Sequence, residues 1–204
     1  LAEKVRLLLY GNRESGHSYK VALALALLGL PYEFQAVDLA TPRKARPAKF
    51  RRVAKFGEVP VLCVDDHPLV QSNGILSYLS RVTGKLAGPS EEATQEWLFW
   101  EANRIGFSLP NLRYHRCFRP GCAEELVTWF EQRTLLDLER LDRELSDGRL
   151  FLLGAPSVAD ISCCAYLFWA DQVSLDMTRF ANVRGWLERI SKLPGWRSPY
   201  DLLA

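Results

Sequence analysis

Apolar positions along this chain follow two regimes. Up to about residue 83 short apolar runs alternate with helix-like stretches. Val5-Arg6-Leu7-Leu8-Leu9-Tyr10 reads as a buried strand. A polar loop, 11–18, comes next. Val21, Leu23, Ala24, Leu25, Leu27 and Leu28 then predict a mostly buried helix over 19–28, with Gly29 as its C′ stop. Residues 32–39 alternate as a strand. A strand–helix–strand order predicts a parallel pair. Residues 41–56 are polar and basic. Two short strands, 59–64 and 67–70, flank a tight turn at Asp65-Asp66, and a helix is expected over about 72–82.

Beyond residue 90 only helical periodicity remains, over about 91–116, 122–146, 157–172 and 180–192. The glycine-rich stretch 83–90 marks the change. The predicted class is α+β. Residues 1–83 form a sheet-containing domain, and residues 90–204 form an all-helical one.

Composition narrows the function classes. The 204 residues carry a formal net charge of +2, which argues against a general polyanion binder. No run of about 18 apolar residues is present, so no membrane span is expected, and the first residues do not resemble a signal peptide. The five cysteines (Cys63, Cys117, Cys122, Cys163, Cys164) lack framework or C-x-x-C spacing, and the three histidines form no metal motif. A reduced, cytoplasmic protein without a structural metal is expected.

The stretch KFGEVPVLCVDDHPLVQSNGILSYL, residues 55–79, holds the first candidate chemistry. Pro60 stands inside an apolar run, where a central strand would not accept it. Two readings are open. One is a trans proline at a strand start. The other is a cis Val59-Pro60 bond that turns the Val59 N–H and C=O outward to pair with an extended peptide. Gln71 and Ser72 stand where a helix begins. Ser72 is either an ordinary N-cap or, with Gln71 and free backbone N–H groups, part of a carboxylate site. Together these features describe a peptide-like ligand with a backbone to pair and a terminal carboxylate to hold.

GEVPVL followed by LVQSNGILSYL resembles the thioredoxin-like domain of the soluble glutathione transferases, with Gly74 for the usual Ala and Gln71 for the commoner Glu. LYGNRESGHSYKVALALALLGLPYE resembles the opening strand-loop-helix of bacterial, serine-type members. PSVADI resembles the family's internal capping motif, in which Ser157 and Asp160 make an S-x-x-D box. The resemblance runs end to end. It implies a thioredoxin-like glutathione-binding domain, a helical domain walling an electrophile pocket, a homodimer, and a detoxifying transferase that conjugates glutathione thiolate to small apolar electrophiles. A non-catalytic glutathione or ligand binder and a glutathione-dependent peroxidase are the alternatives on the same fold.

Such chemistry needs the glutathione thiol, with a pKa of roughly 8.5, brought down by about 2 units. One hydroxyl hydrogen bond plus a helix N-terminus is about the right size. The resemblance places Ser15 as that hydroxyl. Ser18, otherwise an N-cap, and Tyr10, otherwise a packed strand residue, are the other candidates. Glutathione contacts are expected from Val59, Pro60, Gln71 and Ser72. Seven of the thirteen residues 43–55 are Lys or Arg. From these, Arg46, by its spacing from Val59, or Lys44 is assigned to the glycine carboxylate, with Lys55 in support, and the rest form a solvated loop. No nucleic-acid motif accompanies the run. Trp97, Phe99, Trp100, Phe107, Tyr114 and Phe118 are the expected aromatic supply of the helical domain, divided between core, dimer contact and pocket.

Overall fold

The computed structural model describes residues 5–119 and 121–204. These divide into two compact units. The first extends to Lys85 and also takes in Pro194–Ala204; the second is Leu86–Leu193. The sequence reading gave everything after residue 90 to the helical domain. The structure instead returns the last stretch to the first unit, because Leu202 and Leu203 are buried there and Tyr19 Oη and Tyr32 Oη donate to the carbonyls of Arg197 and Leu202 at 2.8 and 3.0 Å.

The first unit is built on four strands: β1 Leu7–Gly11, β2 Glu33–Ala36, β3 Val61–Val64 and β4 His67–Val70. Their order is β2-β1-β3-β4. The first pair is parallel, as the crossover required, and the other two pairs are antiparallel. The Asp65-Asp66 turn closes the β3–β4 hairpin at the Val64–His67 pair. Asp65 holds a positive φ of 52° and accepts from Arg6 N–H through its carboxylate at 2.9 Å.

Helix α1, Gly16–Leu27, begins three residues earlier than the apolar pattern indicated, because Ser15 caps it. It is buried nearly all round, which explains why its apolar residues do not confine themselves to one stripe. Gly29, with φ +67°, ends it as expected. Helix α2, Ala48–Val53, was not anticipated within the basic run. Phe50 nails it down. The ring is 1% exposed and joins Tyr10, Val37, Ala54, Val61 and Cys63 in one cluster. Helix α3, Ser72–Thr83, places Ile75, Leu76 and Leu79 in the core.

The second unit holds α4 Glu91–Asn103, α5 Ile105–Arg113, α6 Glu124–Glu144, α7 Val158–Cys164 and α8 Ala181–Ser191. The pattern over 91–116 reads as one helix but breaks at Arg104, with φ −120° and ψ −106°. Gly106 lies so close to the Glu101 carbonyl that an added Cβ would be 2.8 Å from it. Buried Asp137 on α6 holds the junction, accepting from Arg104 Nε at 2.9 Å and Ser108 Oγ at 2.8 Å. The S-x-x-D box is present at α7. Asp160 also accepts from Leu152 N–H and from Trp186 Nε1, each at 2.8 Å. Burial pushes its carboxyl up from the usual range, against the pull of these donors. A last short helix, α9 Pro199–Leu202, lies in the segment that returns to the first unit.

Candidate functional site

The loop between β1 and α1 is held rigid by its own polar atoms. Asn12 Nδ2 donates to the Val37 carbonyl at 2.8 Å, and its Oδ1 accepts from Glu14 N–H at 2.8 Å. The Asn12 N–H donates to Ser18 Oγ at 3.1 Å, and Ser15 N–H to the Asn12 carbonyl at 3.0 Å. Ser15 is the N-cap of α1, and its Oγ accepts from Ser18 N–H at 3.2 Å. The capping role expected of Ser18 therefore falls to Ser15. Ser15 caps the helix, while Ser18 sits in the first turn with its hydroxyl bound to the loop. A capping oxygen acts as acceptor, so the Ser15 O–H proton stays available beside a helix N-terminus. Among the described residues it has no acceptor. Tyr10 is a packed strand residue, 7% exposed, its ring 5.6 Å from that of Phe50.

The Val59–Pro60 peptide is cis. Pairing in β3 begins at Val61, and among the described residues neither the N–H nor the C=O of Val59 has a hydrogen-bond partner. An open edge of this kind accepts an extended peptide. Gln71 is the N-cap of α3 and Ser72 its first residue, so Ser72 is not the ordinary cap. Gln71 has φ 67° and ψ 115° and makes no side-chain cap bond. A non-glycine residue in that region is costly and is commonly found at ligand clamps. The first N–H groups of α3 lie outside the helical ladder, which resumes with Ile75 N–H to the Gln71 carbonyl.

Arg46 is placed differently from its assignment. It is 8% exposed, and its guanidinium donates to the carbonyls of Thr41, Gly57 and Leu39 at 3.1, 2.7 and 3.2 Å. It clips together the backbone leading to Val59, with three of its N–H donors committed to carbonyls. Arg43 pairs with Glu58 at 3.1 Å. Lys44 and Lys55 remain exposed, the latter with Nζ 5.1 Å from the Phe56 ring centroid.

Two features escaped the sequence reading. Lys20 is fully buried on α1, and its Nζ donates to Asn73 Oδ1 on α3 at 3.4 Å, joining the two helices. A lysine inside an apolar helix pattern was the available signal. Glu14 meets Tyr200, 186 positions away, and no local pattern could have shown it. In the helical unit Phe99, Phe107, Tyr114 and Phe118 are exposed, while Trp97 and Trp100 pack edge to face at 5.4 Å. Among the described residues no group of three or more His, Cys, Asp and Glu could hold a metal ion, and no helix is long and apolar enough to cross a membrane.

Comparison with known proteins gives this arrangement its family. Residues 5–81 match the model of the glutathione S-transferase N-terminal domain, and residues 125–189 match that of the C-terminal domain. The disulfide-bond oxidoreductase YfcG of Escherichia coli is 29% identical over 202 residues, covering 92% of this chain and 90% of that protein. Glutathione S-transferase GstB of Escherichia coli is 27% identical over 210 residues, covering 93% and 95%. The crystal structure of a glutathione S-transferase from Pseudomonas fluorescens is 30% identical and superposes with a TM-score of 0.86, covering 95% of this chain and 98% of that one. With both family models matched in order along it, the chain belongs to the soluble glutathione S-transferase family.

Proposed function

We propose that this protein is a serine-type glutathione transferase that adds glutathione thiolate to small apolar electrophiles. The observation that carries the reading is Ser15. It is a nearly buried N-cap whose oxygen is occupied as an acceptor and whose proton is free to donate. A sulfur placed there meets one hydroxyl donor and the N-terminus of α1. Both favour the thiolate over the thiol. The open Val59 backbone pairs with the peptide part of glutathione, and Gln71, Ser72 and the first N–H groups of α3 hold its γ-glutamyl carboxylate. Pro60 fixes the direction of the Val59 edge. Lys55, or Lys44, takes the glycine carboxylate in place of Arg46, whose donors support the backbone.

The test is calorimetric titration of glutathione at pH 7 in two buffers of different ionisation enthalpy. The difference in heats counts protons released. Release of most of one proton is expected, since the site stabilises the thiolate. Binding without release would move the protein to the role of a non-catalytic binder, as would no binding at millimolar ligand.

A second reading draws on the relative named as a disulfide-bond oxidoreductase. The same thiolate can attack a disulfide instead of an electrophilic carbon. A mixed disulfide forms and one thiolate leaves, and a second glutathione then releases the other thiol with formation of glutathione disulfide. Turnover with disulfides and none with apolar electrophiles would favour it. We further propose a homodimer, supported by the exposed Phe99, Trp129 and Leu136 of the helical unit; sedimentation as a monomer at micromolar concentration would count against it.

A further inference from the structure

The segment Pro194–Ala204 is tied to the β1–α1 loop by side chains. Tyr200 Oη donates to Glu14 Oε2 at 2.9 Å, and the Arg13 guanidinium lies 5.0 Å from the centroid of the Tyr200 ring. Arg13 and Glu14 also approach each other at 3.8 Å. Glu14 is the residue directly before Ser15, and its N–H is already fixed by Asn12. The same segment seats itself on α1. Arg197 accepts from Tyr19, and Gly195 lies so near that an added Cβ would be 2.5 Å from the Ala26 carbonyl. The loop that carries Ser15 is thus held from inside by Asn12 and from outside by Tyr200.

We propose that Tyr200, acting through Glu14, is a positioning residue for the Ser15 hydroxyl. The inference rests on the reading of Ser15 as the thiolate donor. A hydroxyl–thiolate bond is directional, and its strength falls steeply as the angle closes. Two constraints on the residue adjoining Ser15 narrow the range its Oγ can sample. The other charged and titratable groups on the elements packed here are Arg13, His17, Tyr19 and Lys20 on the loop and α1, and Arg197 and Asp201 on the segment. None of them is altered by a Tyr200→Phe change, which keeps the ring under Arg13 and removes only the hydroxyl.

The experiment measures the thiol pKa of bound glutathione from its thiolate absorbance across pH, together with kcat and KM. It uses the full-length protein, Tyr200→Phe, Ser15→Ala and the double variant. Amide exchange of residues 12–18 without ligand is followed in the same set. For Tyr200→Phe the thiol pKa is expected to rise and kcat to fall about fivefold, as part of the Ser15 bond is lost, with KM for glutathione changed less than about twofold. Exchange in the loop should speed up. In the Ser15→Ala background the second change should add less than about twofold. A Tyr200→Phe protein with unshifted thiol pKa and loop exchange, beside a shifted Ser15→Ala, overturns the proposal alone. An unshifted Ser15→Ala overturns the reading of Ser15 and this proposal with it. Should Tyr200→Phe fail to fold, Glu14→Ala cuts the same bond. Loss of the carboxylate charge by itself would lower the thiol pKa, so a rise can come only from lost positioning; quickened exchange of residues 12–18 is expected in this variant, and unchanged exchange refutes the idea.

Discussion

At the scale of single residues, Ser15 has two jobs that can be measured apart. Replacement by alanine removes an N-cap and should lower stability by about 1 kcal/mol, seen in denaturant unfolding. It should also reduce turnover tenfold or more with little change in glutathione affinity, since the lost bond is one made to a charged sulfur. Unchanged turnover would show that another group ionises the thiol. The cysteines separate by environment. Cys117 is exposed, whereas Cys63, Cys163 and Cys164 are buried, and burial pushes the Cys63 thiol up from its ordinary value. A thiol reagent at neutral pH should label Cys117 first, and Cys117→Ser should abolish the fast phase detected by mass spectrometry. Arg46 shows how a residue type misleads. A cation thirteen positions before Val59 in a basic run suits an anion. Only the folded chain reveals three carbonyls converging on it.

At the scale of elements, α3 and α7 illustrate opposite cases. Gly74 lies exposed in the first turn of α3, and a methyl there would meet nothing closer than 4.0 Å. Gly74→Ala should therefore stabilise the protein by about 0.5–1 kcal/mol, read as a higher Tm, because alanine loses less backbone entropy in a helix. The box at α7 is less forgiving. Asp160→Asn would point an NH2 group at neighbours that are themselves donors, Ser157 N–H and Trp186 Nε1 among them. A loss of about 2–4 kcal/mol is expected in chemical denaturation. The box was legible because S-x-x-D is a local pattern. The break between α4 and α5 was not, since apolar periodicity runs on through Arg104 and the kink is held by Asp137 from another helix.

At the scale of the whole molecule, the return of Pro194–Ala204 to the first unit is the feature with most consequence. Truncation after Leu193 should uncover α1, and amide exchange across Gly16–Leu27 should quicken well before that of α6; equal rates in both forms would show that the segment adds nothing to α1. The amino-acid pattern alone determined the four strands, the helices after β1 and β4, the hairpin turn, the S-x-x-D box and the family motifs, because each rests on neighbours within about ten positions. It also carried Val59, Pro60, Gln71 and Ser72 to one candidate site through a family motif. What tertiary structure decided was the use of each polar group. Ser15 became the cap and Ser18 the loop anchor, Arg46 became a backbone clip, Phe50 made a helix out of a basic run, and Tyr200 reached Glu14. Hydrogen bonds are spent on whichever partner the packed chain brings within about 3 Å, and that partner is set by contacts between distant segments, which periodicity does not encode.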